Sequence, residues 1–142
     1  MAKVLIIGSG GAGLVSALAA HEAGAEVIVA SKTLPTRSQT SMAQGGMNAV
    51  LGGDDTIASH IADTLRSSGG LGDEGRIAFM CEQAPEAIRW CNRIGLPFSR
   101  NGEGDIARRR LGGASAPRAC YAQDYTGRSE EHTSELQSHS FI

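Results

Sequence analysis

The sequence predicts an α/β fold that opens on a βαβ unit, and three stretches of its first thirty residues predict it. Lys3 to Ile7 (KVLII) is a short apolar run ending at Gly8, the pattern of a buried parallel strand. Gly10 to Gly24 is rich in Ala and Leu, with Leu14, Ala17, Leu18 and Ala20 at helical spacing. Gly24 stands where a helix C-terminal glycine belongs. Glu26 to Ala30 (EVIVA) is a second apolar strand. Strand, glycine-rich turn, helix and strand in this order make the start of a Rossmann-like unit.

The rest of the chain is less regular. Ser31 to Gly53 (SKTLPTRSQTSMAQGGMNAVLGG) reads as a loop, and a loop of that length inside a compact domain is uncommon unless it is functional. Asp54 or Asp55 is expected to N-cap a helix containing Ile57, Ile61 and Leu65. SSGGLGDE is a break, after which Asp73 caps a second helix reaching to about Ile94. Ile77, Met80, Cys81, Ala84, Ala87, Ile88 and Cys91 form its apolar stripe. Pro85 lies inside that stripe and predicts a kink or a division into two helices. Gly95 to Phe98 opens an irregular or hairpin region that runs past Arg108, Arg109 and Arg110.

Composition bounds the function. The 142 residues allow one domain, and 41% hydrophobic with 20% charged residues is globular, not disordered. Nineteen glycines without a fixed period point to loops where backbone passes close to something. Thirteen Lys and Arg against 15 Asp and Glu give a net charge of −2, which leaves no basic excess for nucleic acid and no polybasic membrane patch. Apolar stretches of about five residues are too short for direct membrane insertion. No signal peptide precedes the first strand, so a cytoplasmic chain is expected. Cys81, Cys91 and Cys120 form no CxxC pair and are read as reduced, mostly buried thiols.

The end of the chain breaks the pattern. RSEEHTSELQSH from Arg128 resembles the in-frame translation of a sequencing-library adapter, so residues 128–142 are read as a disordered scar and set aside. Without Arg128, Glu130, Glu131 and Glu135, residues 1–127 carry 12 basic and 12 acidic residues. His132 and His139 leave the list of catalytic candidates with them.

Gly8-Ser9-Gly10-Gly11-Ala12-Gly13 is GxGxxG in its required context, after a strand and opening a helix. The first Gly makes the tight turn, the second lets backbone N–H groups approach a pyrophosphate, and the third permits close helix–strand packing. The motif predicts a bound dinucleotide. A nicotinamide site places a carboxylate at the end of the second strand, but here that strand ends at Ala30-Ser31-Lys32. Lys32 leaves an NADP 2′-phosphate open on these residues alone.

The loop is more specific. GSGGAG, Ser31-Lys32, PTRSQTSMAQGGMNAVLG, DTLRSSGGLGDE, APEAIRWCNRIGLPFSR, RRRLGG and RACYAQDYTG resemble the flavoprotein subunit of succinate dehydrogenase and fumarate reductase, with L-aspartate oxidase as a sister enzyme. The resemblance covers residues 3–127. It implies FAD, with Gly8, Ser9, Gly10, Gly11, Ala12 and Gly13 facing the pyrophosphate and Ser31 and Lys32 beside the adenosine ribose. It further implies that Thr36, Arg37, Ser38, Gln39, Thr40, Ala43, Gln44, Gly45 and Gly46 line the remainder. Short hydroxyls and glycines agree with this, because they bring many donors close to a phosphate and a polar heterocycle. Gln39 stands where many family members carry a His bonded to the flavin 8α-methyl. A carboxamide nitrogen is a poor nucleophile, so FAD is expected to be held without a covalent link.

The resemblance also implies what lies beyond the chain. The unit is read as truncated after about Gly127, and no catalytic residue and no metal ligand is assigned within it. The implied activity is interconversion of succinate and fumarate by hydride transfer at flavin N5. The implied partners are a C4 dicarboxylate substrate, an iron–sulfur subunit and quinone-reactive membrane subunits, at the cytoplasmic face of an inner membrane. L-aspartate oxidase and a non-enzymatic nucleotide-binding module are the alternatives. GLPFSR and RACYAQDYTG look more like the quinone-linked subunit. Residues 1–127 alone are expected to fold poorly, since missing strands leave sheet faces open. His21 and His60 are read as structural or surface residues. For Arg108 to Arg110, contact with an anion and a solvated basic run both stand. Asp124 has no assigned role.

Overall fold

The computed structural model describes residues 1–123 and 126. Asp124 and the segment 128–142, with His132 and His139, lie outside the described residues.

Strand β1 (Lys3–Ile7) and strand β2 (Glu26–Ala30) pair in parallel, Lys3 opposite Glu26 and Ile7 opposite Ala30, and helix α1 (Gly11–Glu22) joins them. Gly24 ends the turn after α1 at φ +83°, its N–H donating to the His21 carbonyl at 2.8 Å while Ala25 N–H reaches Ala20 at 3.0 Å. A Cβ on Gly13 would stand 2.0 Å from the Gly8 carbonyl oxygen, so α1 lies on β1 only because residue 13 has no side chain. The apolar strands are not buried on both faces as their composition suggests. Val4 and Ile6 are half-buried, whereas Leu5, Ile7, Ile28 and Val29 are exposed. One helix covers one face of a two-stranded sheet, and among the described residues no second layer covers the other.

The segment after β2 makes a 3-10 turn at Pro35–Arg37 and a short strand β3 (Met47–Asn48). Helices α2 (Ile57–Ser67) and α3 (Glu74–Arg93) follow. Thr56, not Asp54 or Asp55, caps α2: its hydroxyl accepts the Ser59 N–H at 3.1 Å. The Asp55 carboxylate instead takes the Thr56 N–H at 3.0 Å and is engaged by Arg118. Asp73 caps α3 through the Arg76 N–H at 2.8 Å. Helix α3 is one helix across Pro85 and is not divided. Pro85 is buried with Cys81, Ile88 and Cys91 of the same helix, and that burial accompanies a helical path in which one backbone donor is missing.

Strands β4 (Arg108–Arg109) and β5 (Ala119–Cys120) complete an antiparallel sheet in the order β3–β5–β4, with Met47 and Arg108 both opposite Cys120. The expected hairpin region is present, closed by a bridge between Arg100 and Ile106. The core lies in this half: Ala49, Ile88, Cys91, Leu96, Phe98, Cys120 and Ala122 form one buried cluster. All three cysteines are buried and unbridged, and burial pushes the Cys120 thiol up to about 11.

Candidate functional site

The Gly8 N–H donates to the Ala30 carbonyl at 2.8 Å, which carries the parallel ladder past β1 and sets the glycine turn beside Ser31. There the buried Ser9 hydroxyl meets the Ser31 hydroxyl at 2.6 Å, and Ser31 donates to the Thr33 carbonyl at 2.8 Å. Gly8 has φ +111°, and a Cβ there would meet nothing within 4 Å, so the turn borders open space. Helix α1 begins with Gly10 as N-cap, with no capping side chain and no acidic residue in its first turn. The positive end of the helix dipole is therefore left for an outside acceptor.

One such acceptor is supplied by the loop. The Gly11 N–H donates to Thr40 Oγ1 at 3.0 Å. A Cβ on Gly10 would lie 3.4 Å from that oxygen and 3.8 Å from Ser38 Cβ. Ser41 ties the loop to itself, its N–H on Ser38 Oγ at 3.2 Å and its hydroxyl 2.9 Å from the Thr36 carbonyl. Gly8 to Gly11, Ser31, Ser38 and Thr40 thus come together around the start of α1. Ala12, Lys32, Thr36, Arg37, Gln39, Ala43, Gln44 and Gly45 are exposed, and Gly13 lies beneath the turn against Gly8.

Gly46 is where the loop enters β3. Its φ is +106°, and a Cβ would stand 2.5 Å from the Cys120 carbonyl oxygen, so only glycine fits. The preceding carbonyls are held by Arg109, which donates to Gln44 at 2.6 Å and to Gly45 at 3.2 Å while its guanidinium lies 4.6 Å from the centre of the Tyr121 ring. Arg108 donates to the Gly52 carbonyl at 2.8 Å and Arg110 to Ala114 at 2.8 Å. The basic run is thus used to tie loops by their backbone.

Sequence reasoning missed the most buried charge among the described residues. Arg118 is 1% exposed and donates to both Asp55 oxygens at 2.7 and 2.8 Å and to Asp63 at 2.7 Å. Asp63 also accepts the Ser115 N–H at 2.6 Å and hydroxyl at 2.7 Å, and pairs with Arg66. The Arg118 hydrogen bond holds the Asp55 carboxyl below its ordinary value, and the Ser115 N–H does the same for Asp63, followed by the Ser115 hydroxyl. His60 is buried as a structural residue, its Nδ1 without a partner, and burial followed by the Arg118 charge pushes its pKa down. The Arg118 carbonyl accepts the Ala49 N–H at 2.9 Å, so this ion cluster anchors β5 and, through it, the strand that follows Gly46. These partners are more than fifty residues apart in the chain, and no local pattern marks them.

The residues fit a dinucleotide bearing a pyrophosphate. A helix start with no acidic residue and only the Thr40 oxygen against it, a glycine turn open at Gly8 and hydroxyls at Ser9, Ser31, Ser38 and Thr40 make a polar setting without crowding. Residues 3–137 match the family described as FAD binding domain. The chain belongs to that family. This FAD binding domain is 43% identical over 145 residues to the succinate dehydrogenase flavoprotein subunit of Rickettsia bellii, covering 95% of the chain and 24% of the relative. It is 44% identical over 134 residues to the 8-methylmenaquinol:fumarate reductase flavoprotein subunit of Wolinella succinogenes, covering 92% and 22%. An E. coli quinol fumarate reductase FrdA mutant superposes with a TM-score of 0.90 at 32% identity, over 99% of this chain and 25% of that one. The chain therefore spans about a quarter of the length of the relatives it matches. Among the described residues no helix is long and apolar enough to cross a membrane.

Proposed function

We propose that this FAD binding domain is the N-terminal part of a succinate dehydrogenase/fumarate reductase flavoprotein. The observation that carries the reading is the Gly11–Thr40 hydrogen bond, which seats the Ser/Thr/Gly loop on the start of α1. Two separate sequence motifs then face one place. The turn from Gly8 to Gly13 receives the pyrophosphate on its backbone N–H groups other than those of Gly8 and Gly11, which Ala30 and Thr40 already engage, and Ser31 and Lys32 take the adenosine ribose. Thr36, Arg37, Ser38, Gln39, Thr40, Ala43, Gln44, Gly45 and Gly46 line the rest of the cofactor. Bound FAD supplies the hydride exchange at N5 that interconverts succinate and fumarate. The residues of this chain hold and orient it; those that bind the dicarboxylate and move its proton belong to the rest of the protein. The names of the relatives support this reading over L-aspartate oxidase. The partners are an iron–sulfur subunit and quinone-reactive membrane subunits, with the flavoprotein peripheral at the cytoplasmic face of the inner membrane.

Gln39 gives the reading its edge. Its carboxamide cannot form the histidyl link, so FAD is held by non-covalent contacts. Without an electron-withdrawing substituent at 8α the ring is harder to reduce, which favours fumarate reduction over succinate oxidation. The test is to express the complete reading frame that carries this chain, precipitate the holoprotein in trichloroacetic acid and measure flavin in both fractions. Flavin in the supernatant is expected, and flavin retained in the pellet overturns the non-covalent reading. A colourless protein that binds NADPH tightly overturns the FAD assignment. Gln39→His is expected to raise succinate oxidation relative to fumarate reduction.

A further inference from the structure

Arg109 contacts the loop in a way that neither a phosphate clamp nor a solvated charge explains. It reaches across from β4, over the Tyr121 ring, and donates to two successive carbonyls, Gln44 and Gly45. The described peptides are all trans, and in a trans peptide the N–H points opposite to the carbonyl. Fixing the Gln44 carbonyl therefore turns the Gly45 N–H away from Arg109, and fixing the Gly45 carbonyl does the same for the Gly46 N–H. The sheet supports this direction for Gly46. β3 is an edge strand, and Ala49 N–H donates inward to the Arg118 carbonyl. Alternation along the ladder then leaves the outer side of β3 for groups of even-numbered residues, which places the Gly46 N–H there, while the Gly45 N–H is turned by the Gln44 carbonyl alone. Gly45 is exposed, and neither glycine has a side chain to cover these donors.

We propose that Arg109 is a positioning residue that presents the Gly45 and Gly46 N–H groups as a pair of donors to the electron-rich carbonyl edge of the flavin ring. This rests on the reading of Gln44 to Gly46 as cofactor-lining residues. Two N–H groups aimed at one acceptor edge stabilise negative charge that builds there on reduction, so Arg109 governs the potential of the ring as well as its retention. Its cation is held back from the cofactor by the peptides it orients and by its seat on Tyr121.

The test uses the complete flavoprotein with Arg109→Met, Arg109→Lys and Arg108→Met, each measured for FAD affinity, flavin reduction potential and melting temperature. Arg109→Met is expected to weaken FAD binding about tenfold and to make the potential more negative. Arg109→Lys keeps the charge but offers no planar fork for two carbonyls, and is expected to fall between it and the parent. Arg108→Met removes a comparable backbone tie, to Gly52, and is expected to leave affinity and potential unchanged. An unchanged potential in both Arg109 variants overturns the proposal, as does an equal shift in Arg108→Met. If Arg109→Met does not fold, the Arg109→Lys potential decides alone. A wild-type protein that binds no flavin overturns the cofactor reading instead.

Discussion

Around β1 and β2 the geometry is set by clearance between backbones: Gly13 admits α1 onto the strand, Gly8 turns the chain, and Gly24 ends the helix. Of the apolar residues there only Leu14 and Leu18 of α1 are fully buried, while Leu5, Ile7, Ile28 and Val29 remain exposed. Around β3–β5–β4 the opposite holds. Seven buried side chains form one cluster, and Arg118 joins β5 to Asp55 and Asp63 beside and within α2. The half that carries the glycine motif is thus specified by where side chains are absent, and the other half by how they pack. A fingerprint built from glycines buries little apolar area itself and takes its rigidity from what is laid against it.

The largest expected effect comes from breaking the packed half at its charge. Arg118→Met leaves the Asp55 and Asp63 carboxylates facing each other without their shared cation, and is expected to cost about 3–5 kcal/mol in denaturant unfolding. A loss of about 1 kcal/mol or less, the size of a surface pair, contradicts the assigned role. Gly13→Ala breaks the other half. Its Cβ would press on the Gly8 carbonyl, with an expected cost of about 1–3 kcal/mol and loss of FAD on gel filtration. Amide exchange at Ala119 and Cys120 should stay slow in this variant, because β5 is held by β3, by β4 and by the Arg118 ion pairs.

Acid sharpens the comparison further. His60 has its pKa lowered below 6.5 on folding, so its neutral form is the folded one; stability is complete above about pH 6.5 and falls as the pH drops through the folded value. Asp55 and Asp63 are lowered from 3.8, and their contribution is present above that value and lost below it. Melting temperature should therefore fall in two stages on acidification, and His60→Phe should remove the first stage only. The smallest effect is expected from Thr40→Val. It deletes the acceptor of the Gly11 N–H and should cost about 0.5–1 kcal/mol, read as faster exchange at Gly11 with the packed half unchanged.

The two halves were also unequally legible in the sequence. β1, α1 and β2 have the limits their apolar period and Gly24 announce, since each signal lies within a turn or two of what it controls. Gly8 to Gly13 come together with Ser31, Ser38 and Thr40, but the hydrogen bonds that join them span twenty residues or more and are set by the fold. Of the two outcomes Pro85 predicts, the division does not occur, because α3 runs on with Pro85 buried in its apolar side. Asp55 misleads because a distant arginine claims the carboxylate that local rules assign to a helix cap. Arg108 to Arg110 announce charge but not its use, which depends on which carbonyls the sheet brings within reach.

Cys120 sits opposite Met47 in the seam beneath Gly46, with no exposed surface. Alkylation and oxidation both need the thiolate, and burial, which pushes the Cys120 thiol up to about 11, keeps it in the thiol form near neutral pH. Whatever reacts at this sulfur must therefore react during the moments when β3 and β5 part. The cysteine is a built-in clock for that opening: the rate at which a small alkylating reagent marks Cys120 counts how often the floor under Gly46 lifts, without adding a probe to the molecule.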